Sequence, residues 1–293
     1  MLGNLTVQRL CQDTPDTLLH ITRGKLVTSF HTRSAGSLCR YKASGISVTP
    51  TGDVIVTDIG LDQSRMFTST GKHVLTFNTL PEDHPTKAIT LNSKQVAIAC
   101  RTGLKIYQSD GEFLRKIREA PECPNGLART HGGDLVVSDM TLSSCVLHIF
   151  TGLELRLIHT IIGGSRAPCF ERPWYVAVNG DNEILVSDMT EHTVKVFNAY
   201  GGLLHEFGVK GCQPGQFFHP AGLCIDRYEN ILVADSYNDR VQYFTKTGEL
   251  LGVILNGMED ELCNPVDVDI DGQGHLVVLQ GDGKVLTFQY LWT

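Results

Sequence analysis

The residues able to do chemistry in this chain lie along it without the spacing that catalysis or metal binding needs. The chain has 293 residues and eleven histidines, with no His-x-His and no His-Glu-x-x-His. A metal centre or an acid–base pair needs carboxylates and imidazoles that converge on one point. There is also no Gly-x-Ser-x-Gly, no phosphate-cradling glycine loop and no dinucleotide fingerprint. The sequence therefore predicts a protein that is not an enzyme and has no metal and no cofactor.

Cations and aromatic residues in the segments around apolar runs indicate binding instead. The candidate binding residues are Arg33, Arg40, Lys42, Arg101, Lys105, Arg166, Phe170, Arg172 and Tyr175. Cations hold the phosphates of a nucleic acid, and aromatic rings stack on unpaired bases. Trp174 and Tyr175 begin an apolar run, so burial in the core is the alternative for both. Three acidic residues, Glu259, Asp260 and Glu261, add negative charge to the same set of loops, and the net charge of the chain is −7. We therefore expect a surface with separate positive and negative regions.

Two polar positions recur along the chain. Asp58, Asp139, Asp188 and Asp235 each end an apolar run before a tight loop, where a carboxylate accepts backbone N–H groups, so we expect structural capping. The second position lies two residues before the aromatic that ends a run, and it holds Arg65, Lys105, His148, Lys195, Gln242 and Leu286. Because side chains alternate along a strand, we expect this second column to face solvent.

Both positions belong to a sequence repeat that occurs six times. The copies begin at Ala43, Pro85, Pro124, Pro173, Pro220 and Pro265, at intervals of 42, 39, 49, 47 and 45 residues. Each copy contains strand-sized runs rich in Val, Ile, Leu and aromatics, separated by turn residues such as Thr51-Gly52-Asp53. No stretch shows ten residues of helical periodicity. A period of this length predicts a propeller or a solenoid.

The count of runs favours a closed ring. Six copies of the first three strands are present, but only five fourth strands follow them. Near the N-terminus, Arg23–Phe30 resembles a fourth strand without the first three. We therefore predict an all-β, six-bladed propeller in which this strand completes the last blade and removes exposed sheet edges. The predicted organisation is an N-terminal extension at residues 1–19 and one propeller at residues 20–293.

Composition bears on the compartment. The nine cysteines are an odd number without a Cys-x-x-Cys, which argues for a reducing compartment, and we expect a cytoplasmic protein. No run of eighteen apolar residues and no signal-peptide pattern is present, so we expect no membrane association.

The fifth copy resembles the NHL repeat. The matching letters are Phe207-Gly208-x-x-Gly211-x-x-x-Gly215-Gln216-Phe217, then Pro220-Ala221-Gly222, then Asn230-Ile231-Leu232-Val233-Ala234-Asp235-Ser236-x-Asn238-x-Arg240-Val241. Val186-Ser187-Asp188 with Val194-Lys195-Val196-Phe197 is a second good match. Two copies depart from the pattern, with Cys100 and Gln280 where the family usually has Asp. The resemblance extends over residues 20 to 291.

The closest likeness is to the C-terminal propellers of TRIM-NHL proteins. This resemblance implies a non-catalytic recognition platform that binds single-stranded RNA, in 3′-untranslated regions, through one loop rim in post-transcriptional and translational repression. The alternative is a protein-binding module that acts as the substrate receptor of a RING-type ubiquitin ligase and contacts protein substrates or co-repressors. Relatives of this type carry RING, B-box and coiled-coil modules before the propeller, and the sequence shows none of their patterns. We expect the propeller itself to be monomeric.

Overall fold

The strands form a ring of antiparallel sheets. The computed structural model describes residues 20–32, 42–117, 121–141, 145–152, 154–162 and 171–292. These residues form six four-stranded sheets. The first strand of each sheet contacts the first strand of the next, and the first strand of the last sheet contacts that of the first sheet. The sheets are therefore the blades of a closed ring, which confirms the predicted all-β, six-bladed propeller.

Blades 1 to 3 are each formed by four consecutive strands. Blade 1 consists of β2 (Ala43–Val48), β3 (Val54–Asp58), β4 (Gln63–Phe67) and β5 (His73–Phe77). Blade 2 consists of β6 (Pro85–Asn92), β7 (Gln95–Cys100), β8 (Gly103–Gln108) and β9 (Phe113–Lys116). Blade 3 consists of β10 (Pro124–Arg129), β11 (Leu135–Met140), β12 (Cys145–Phe150) and β13 (Leu157–Ile162).

Blades 4 and 5 repeat this arrangement, and blade 6 takes its fourth strand from the other end of the chain. Blade 4 consists of β14 (Pro173–Val178), β15 (Ile184–Asp188), β16 (Thr193–Phe197) and β17 (Leu203–Phe207). Blade 5 consists of β18 (Pro220–Ile225), β19 (Ile231–Asp235), β20 (Arg240–Phe244) and β21 (Leu250–Asn256). Blade 6 consists of β22 (Pro265–Ile270), β23 (Leu276–Gln280), β24 (Lys284–Trp292) and β1 (His20–His31).

The pairing of β1 with β24 closes the ring. The two strands are antiparallel, with Phe30 opposite Val285 and Leu26 opposite Phe288. The predicted closing strand is thus confirmed, and it is slightly longer than the sequence pattern indicated. Because β1 covers the outer edge of β24, the last blade has the same four-stranded architecture as the others.

The core lies between blades. All five residues of β19 are buried, whereas the outer strand β17 is largely exposed. A second strand is packed on both faces by neighbouring blades, so its sequence is a continuous apolar run, which is typical of strands buried on both sides. One core cluster joins Leu232 and Val241 of blade 5 to Val278 and Phe288 of blade 6. No blade is buried by itself.

The glycine of the repeated Pro-x-Gly entry allows inner strands to approach closely. A Cβ atom on Gly222 would lie 2.4 Å from the Cα of Asp267 in the next blade. A Cβ atom on Gly45 would lie 2.4 Å from the carbonyl oxygen of Thr86. Both distances are shorter than any non-bonded contact a side chain can make, so these positions require glycine.

Buried hydroxyl groups connect one blade to the next. Each donates a hydrogen bond to a carbonyl oxygen at the start of the following inner strand. The bonds are Ser44 Oγ to Pro85 at 2.7 Å, Thr86 Oγ1 to Pro124 at 3.1 Å, Ser138 Oγ to Trp174 at 3.0 Å and Ser236 Oγ to Pro265 at 2.6 Å. Since buried carbonyl groups need partners, these bonds fix the angle between blades.

Helix is a minor component of the described residues. It consists of α1 (Gly257–Asp260) and one 3₁₀ turn (Ser236–Asn238). In the described part of the chain, no helix is long and apolar enough to span a bilayer.

Candidate ligand-binding rim

The rim is the surface formed by two kinds of loop: those joining second to third strands, and those entering each first strand. Aspartates hold the two kinds of loop together. Asp188 accepts hydrogen bonds from the backbone of Glu171 at 2.7 Å and of Thr190 at 3.1 Å, which lie in different loops. Asp235 accepts a hydrogen bond of 2.6 Å from the backbone N–H of Phe218. The predicted capping role of these aspartates is confirmed, and the caps join the described parts of the two kinds of loop.

The nine predicted binding residues fall into three groups. Lys42, Arg101 and Arg172 are exposed on the rim. Lys105 and Tyr175 are buried. The remaining four, Arg33, Arg40, Arg166 and Phe170, lie outside the described residues.

Lys105 is a correction to the predicted set. Its side chain is 6% exposed, and its Nζ atom lies 2.6 Å from both carboxylate oxygens of Asp83. Burial alone would raise the pKa of Asp83, but the Lys105 ammonium and the Thr102 hydroxyl outweigh burial. The pKa of Asp83 therefore lies below its ordinary value. Lys105 therefore stabilises the loop that enters blade 2 and does not present its charge to a ligand.

Tyr175 is the second correction, because it is only 4% exposed. Its hydroxyl donates to the carbonyl oxygen of Ser44 in blade 1, on the opposite side of the ring. Lys87 of blade 2 lies 5.7 Å from the Tyr175 ring centroid, and its Nζ atom is 2.5 Å from Asp267 of blade 6. These contacts join blades that are not neighbours, so they lie across the central axis. The alternative of core burial is the correct one for Tyr175.

The polar column expected to face solvent is also corrected, since most of it is buried. His148 Nε2 lies 3.3 Å from Asp139, and Gln242 donates to Asp235 at 3.2 Å. Lys195 contacts Glu191. Neighbouring blades cover both faces of a third strand, so the outward face expected for a half-exposed strand does not exist. His148 and Gln242 are instead partners of the capping acids, and Lys195 pairs with Glu191, which is not one of them.

A cluster of four rings forms the aromatic step of the rim, between blades 4 and 5. The step consists of Phe218, His219 and Tyr237, with His192 packed against them. The His219 ring centroid lies 4.4 Å from that of Tyr237 and 4.9 Å from that of His192. Phe218 and Tyr237 meet edge to face at 5.4 Å. Tyr237 is 60% exposed, so the step presents a ring surface to solvent.

Unusual backbone geometry holds the two histidines of the step. His192 has a φ of 61° and His219 a φ of 60°, the left-handed region that few residues other than glycine adopt. The backbone N–H of His219 donates a hydrogen bond of 3.1 Å to Nδ1 of His192. His192 is only 6% exposed. The same conformation recurs at His84 and Asn264, which also directly precede the proline of a first strand, so it belongs to the repeat and is not specific to the step.

Two cations flank the aromatic step. Lys210 Nζ lies 5.7 Å from the Phe218 ring centroid, and the Arg172 guanidinium lies 5.5 Å from that of Trp174. Burial lowers the pKa of His219, and the nearby charges of Lys210 and Arg172 lower it further. Burial and the neighbouring His219 likewise lower the pKa of His192. The step is therefore a surface of neutral rings between two positive charges.

An acidic corner occupies the rim between blades 5 and 6. It consists of Glu259, Asp260 and Glu261, in and just after helix α1. The side chain of Asn256 accepts the backbone N–H of Glu259 at 3.2 Å, and Asp260 accepts that of Asn256 at 2.9 Å. Met258, which lies between Asn256 and Glu259 in the sequence, is 94% exposed. The corner is thus an ordered acidic loop that presents one apolar side chain.

Sequence reasoning missed the aromatic step and Lys210. Phe218 and His219 directly follow the repeat letters Gly215-Gln216-Phe217, and Tyr237 fills the variable position between Ser236 and Asn238. The available signal was aromatic residues at variable positions inside the strongest repeat copy. In the described part of the chain, no group of three or more His, Cys, Asp or Glu residues could hold a metal ion.

Curated relatives match parts of this chain. The protein brain tumor of Drosophila melanogaster is 27% identical over 116 residues, which cover 38% of this chain and 11% of that protein. NHL-repeat-containing protein 4 of Mus musculus is 33% identical over 94 residues, covering 31% of this chain and 66% of that protein. Protein wech of Drosophila melanogaster is 45% identical over 57 residues, covering 20% and 7%. The chain thus spans less than two thirds of each relative's length. No protein-family model matches it.

Solved structures share the propeller architecture at low identity. A gluconolactonase from Xanthomonas campestris superimposes with a TM-score of 0.68 and 14% identity, covering 96% of this chain and all of that one, 100%. A virginiamycin B lyase from Staphylococcus aureus has a TM-score of 0.63 and 12% identity, covering 91% of this chain and 99% of that one. At such identities the likeness shows the fold alone.

Proposed function

This chain is an NHL-repeat β-propeller, and from that premise we propose that it is a non-catalytic recognition platform that binds single-stranded RNA through its rim. The observation that carries the proposal is the aromatic step between Lys210 and Arg172. Unpaired bases stack on such rings, and the cations neutralise the phosphates that follow them. Lys42 and Arg101 extend the same rim over blades 1 and 2 and belong to the proposed surface. Arg33, Arg40, Arg166 and Phe170 remain proposed contacts on sequence grounds.

The proposed role is post-transcriptional repression, as the likeness to TRIM-NHL propellers implies. In this role the propeller selects the messenger RNA, and other parts of a repressor complex act on it. A cytoplasmic location is part of the proposal.

The contacts across the axis support a non-catalytic role. The likeness to the gluconolactonase and the lyase is a likeness of fold alone. In this chain Lys87, Asp267 and Tyr175 engage one another at the inner strands, so these polar groups are already paired. A catalytic centre on the axis would need free groups able to transfer protons or bind a metal.

The RNA proposal is tested by measuring the binding of single-stranded RNA of about 12 nucleotides at several salt concentrations. Because phosphate contacts release counterions, affinity should fall steeply with added salt. Absence of binding at low salt would reject the proposal. Double-stranded RNA of the same sequence is the control, and it should bind more weakly because its bases are not available for stacking.

The acidic corner favours a second candidate function, which is the binding of a protein partner. An exposed apolar side chain surrounded by acids matches a basic partner with an apolar pocket. In this alternative the chain is the substrate receptor of a RING-type ubiquitin ligase. Co-purification with Met258→Ala or Arg172→Glu tests it. A partner lost only in Met258→Ala would support the alternative, and an unchanged partner set in both variants would reject it.

A further inference from the structure

We propose that the two histidines of the aromatic step make binding at the rim proton-coupled: a phosphate-bearing ligand seated between Lys210 and Arg172 binds together with one proton, which His219 takes up from solvent. This inference rests on the proposed function, because the ligand is the backbone of single-stranded RNA. It adds a role for each histidine. His219 contacts the ligand and accepts the proton, and His192 is a positioning residue.

The hydrogen bond between the two residues assigns these roles. Nδ1 of His192 accepts the backbone N–H of His219 at 3.1 Å. An imidazole nitrogen that accepts carries no proton, so His192 is neutral with its proton on Nε2. Protonating Nδ1 of His192 would place two donors against each other and break this hydrogen bond. The proton therefore goes to His219, while His192 must stay neutral to hold it.

The His219 ring has an unfilled bonding position. Its Nδ1 atom is buried and has no hydrogen-bond partner among the described residues. A protonated imidazole has two N–H donors, and a buried donor without an acceptor is costly. This cost keeps His219 neutral in the free protein, and a phosphate seated between Lys210 and Arg172 offsets it by placing a negative charge beside the ring, so the ligand and the proton stabilise each other.

The charges around the pair set the direction of the coupling. Lys210 and Arg172 both act on His219 and oppose a third positive charge there. At His192, the charges of Asp188 and Asp235 act to raise the pKa, whereas Lys210 and His219 act to lower it. When a phosphate neutralises Lys210 and Arg172, the repulsion that keeps His219 neutral is removed. The pKa of His219 is therefore higher in the complex than in the free protein.

The sign of the pH dependence follows from this shift. A group whose pKa rises on binding strengthens the complex below its bound pKa, and that contribution is lost as the pH rises through the bound value. The free value lies below 6.5. Affinity should therefore increase as the pH falls from about 8 to about 6, by roughly five- to tenfold for one proton. RNA phosphodiesters do not titrate in this range.

The test is isothermal titration calorimetry of the full chain with single-stranded oligouridylate of about 12 nucleotides. It is performed at constant salt in phosphate-free buffers that differ in ionisation enthalpy. The wild type should take up about half a proton per bound RNA near pH 7 and bind roughly five- to tenfold tighter near pH 6 than near pH 8. His219→Gln should bind more weakly and lose most of the pH dependence.

Two further variants separate the roles. His192→Asn keeps a side chain that tolerates the left-handed region and offers an acceptor oxygen. It should retain the proton uptake while weakening binding at every pH. His131→Gln, at an exposed position on the opposite rim, is the matched control and should keep the wild-type profile. Thermal melting of each variant identifies any that fails to fold.

The outcomes distinguish the coupling from the proposed function. RNA binding with a flat pH profile would overturn the proton coupling and leave the RNA proposal standing. Proton uptake that disappears in His192→Asn but persists in His219→Gln would overturn the assignment of roles. Absence of RNA binding at every pH would reject both proposals together.

Discussion

Nζ of Lys87 lies 2.5 Å from Oδ2 of Asp267, although 180 residues separate the two. The same carboxylate oxygen accepts the backbone N–H of Ile46 in blade 1 at 2.8 Å. One carboxylate therefore joins blade 6 to blades 1 and 2, where the ring closes. Burial raises the pKa of Asp267 to about 6, although Lys87 acts to lower it. The closure consequently depends on a buried charge pair.

Removing Lys87 should destabilise the ring strongly. Lys87→Met leaves the Asp267 carboxylate buried without its counter-charge, and the loss of one partner of a buried pair costs about 3–5 kcal/mol. The double variant Lys87→Met with Asp267→Asn should recover part of this loss, because the Asp267 charge is gone, although Asp269, whose pKa Lys87 also lowers, still lacks that cation. Urea denaturation measures both. A double variant less stable than Lys87→Met would contradict this account of the closure.

The raised pKa of Asp267 predicts the sign of a pH effect. The folded value of about 6 lies above the ordinary value of 3.8, so the protonated form stabilises the fold at low pH, and this contribution is lost as the pH rises through about 6. The unfolding free energy of the wild type, relative to Asp267→Asn, should fall by about 2 kcal/mol between about pH 4 and pH 7. The exposed Asp110→Asn is the control. A relative stability that rises with pH would show the opposite shift.

The inner-strand glycine predicts a sharp contrast between two alanine substitutions in blade 5. Gly222→Ala places a Cβ atom against the backbone of Asp267, whereas nothing lies within 4 Å of a Cβ atom on Gly252. Gly222→Ala should lower the unfolding free energy by at least about 2 kcal/mol, because the inner strands must separate. Gly252→Ala should stay within about 0.5 kcal/mol of wild type. Equal effects in chemical denaturation would contradict the packing described for the axis.

Tyr237 should contribute directly to RNA affinity. Its ring is exposed on the aromatic step, and losing one base-stacking partner costs about 1–3 kcal/mol. Tyr237→Ala should therefore weaken binding of single-stranded RNA by roughly five- to a hundredfold without lowering the melting temperature appreciably. Tyr200, which is also exposed but lies on the opposite rim, supplies the control variant Tyr200→Ala. Equal losses in the two variants would remove the aromatic step from the binding surface.

The fold followed from the sequence because its signals are local and repeated. Turn residues such as Thr51-Gly52-Asp53 bound each run, and the unmatched run at Arg23–Phe30 required a partner at the other end of the chain. The capping aspartates were predicted for the same reason, since Asp188 and Asp235 each end an apolar run before a tight loop, although their bonds to the entering loops, from Glu171 and Phe218, were not predicted.

The site was only partly predictable, because exposure and convergence depend on neighbouring blades. Lys105 and Tyr175 are residue types that often bind ligands. In the structure, however, Lys105 is bound to Asp83 and Tyr175 to Ser44 in the interior, and both partners are distant in sequence. The meeting of Lys210 with His219 depends on the path of a loop, which residue spacing does not specify. The left-handed backbone of His219 leaves no mark in a single sequence.

The most direct test of the central claim is RNA affinity after charge reversal beside the aromatic step. Arg172→Glu with Lys210→Glu should weaken the binding of single-stranded RNA by more than tenfold at low salt, and the slope of log Kd against log salt should decrease by about two. Arg227→Glu, at an exposed cation on the opposite rim, should leave affinity within about twofold of wild type. If the double variant binds as the wild type does, or if Arg227→Glu weakens binding equally, the rim between blades 4 and 5 is not where RNA is recognised.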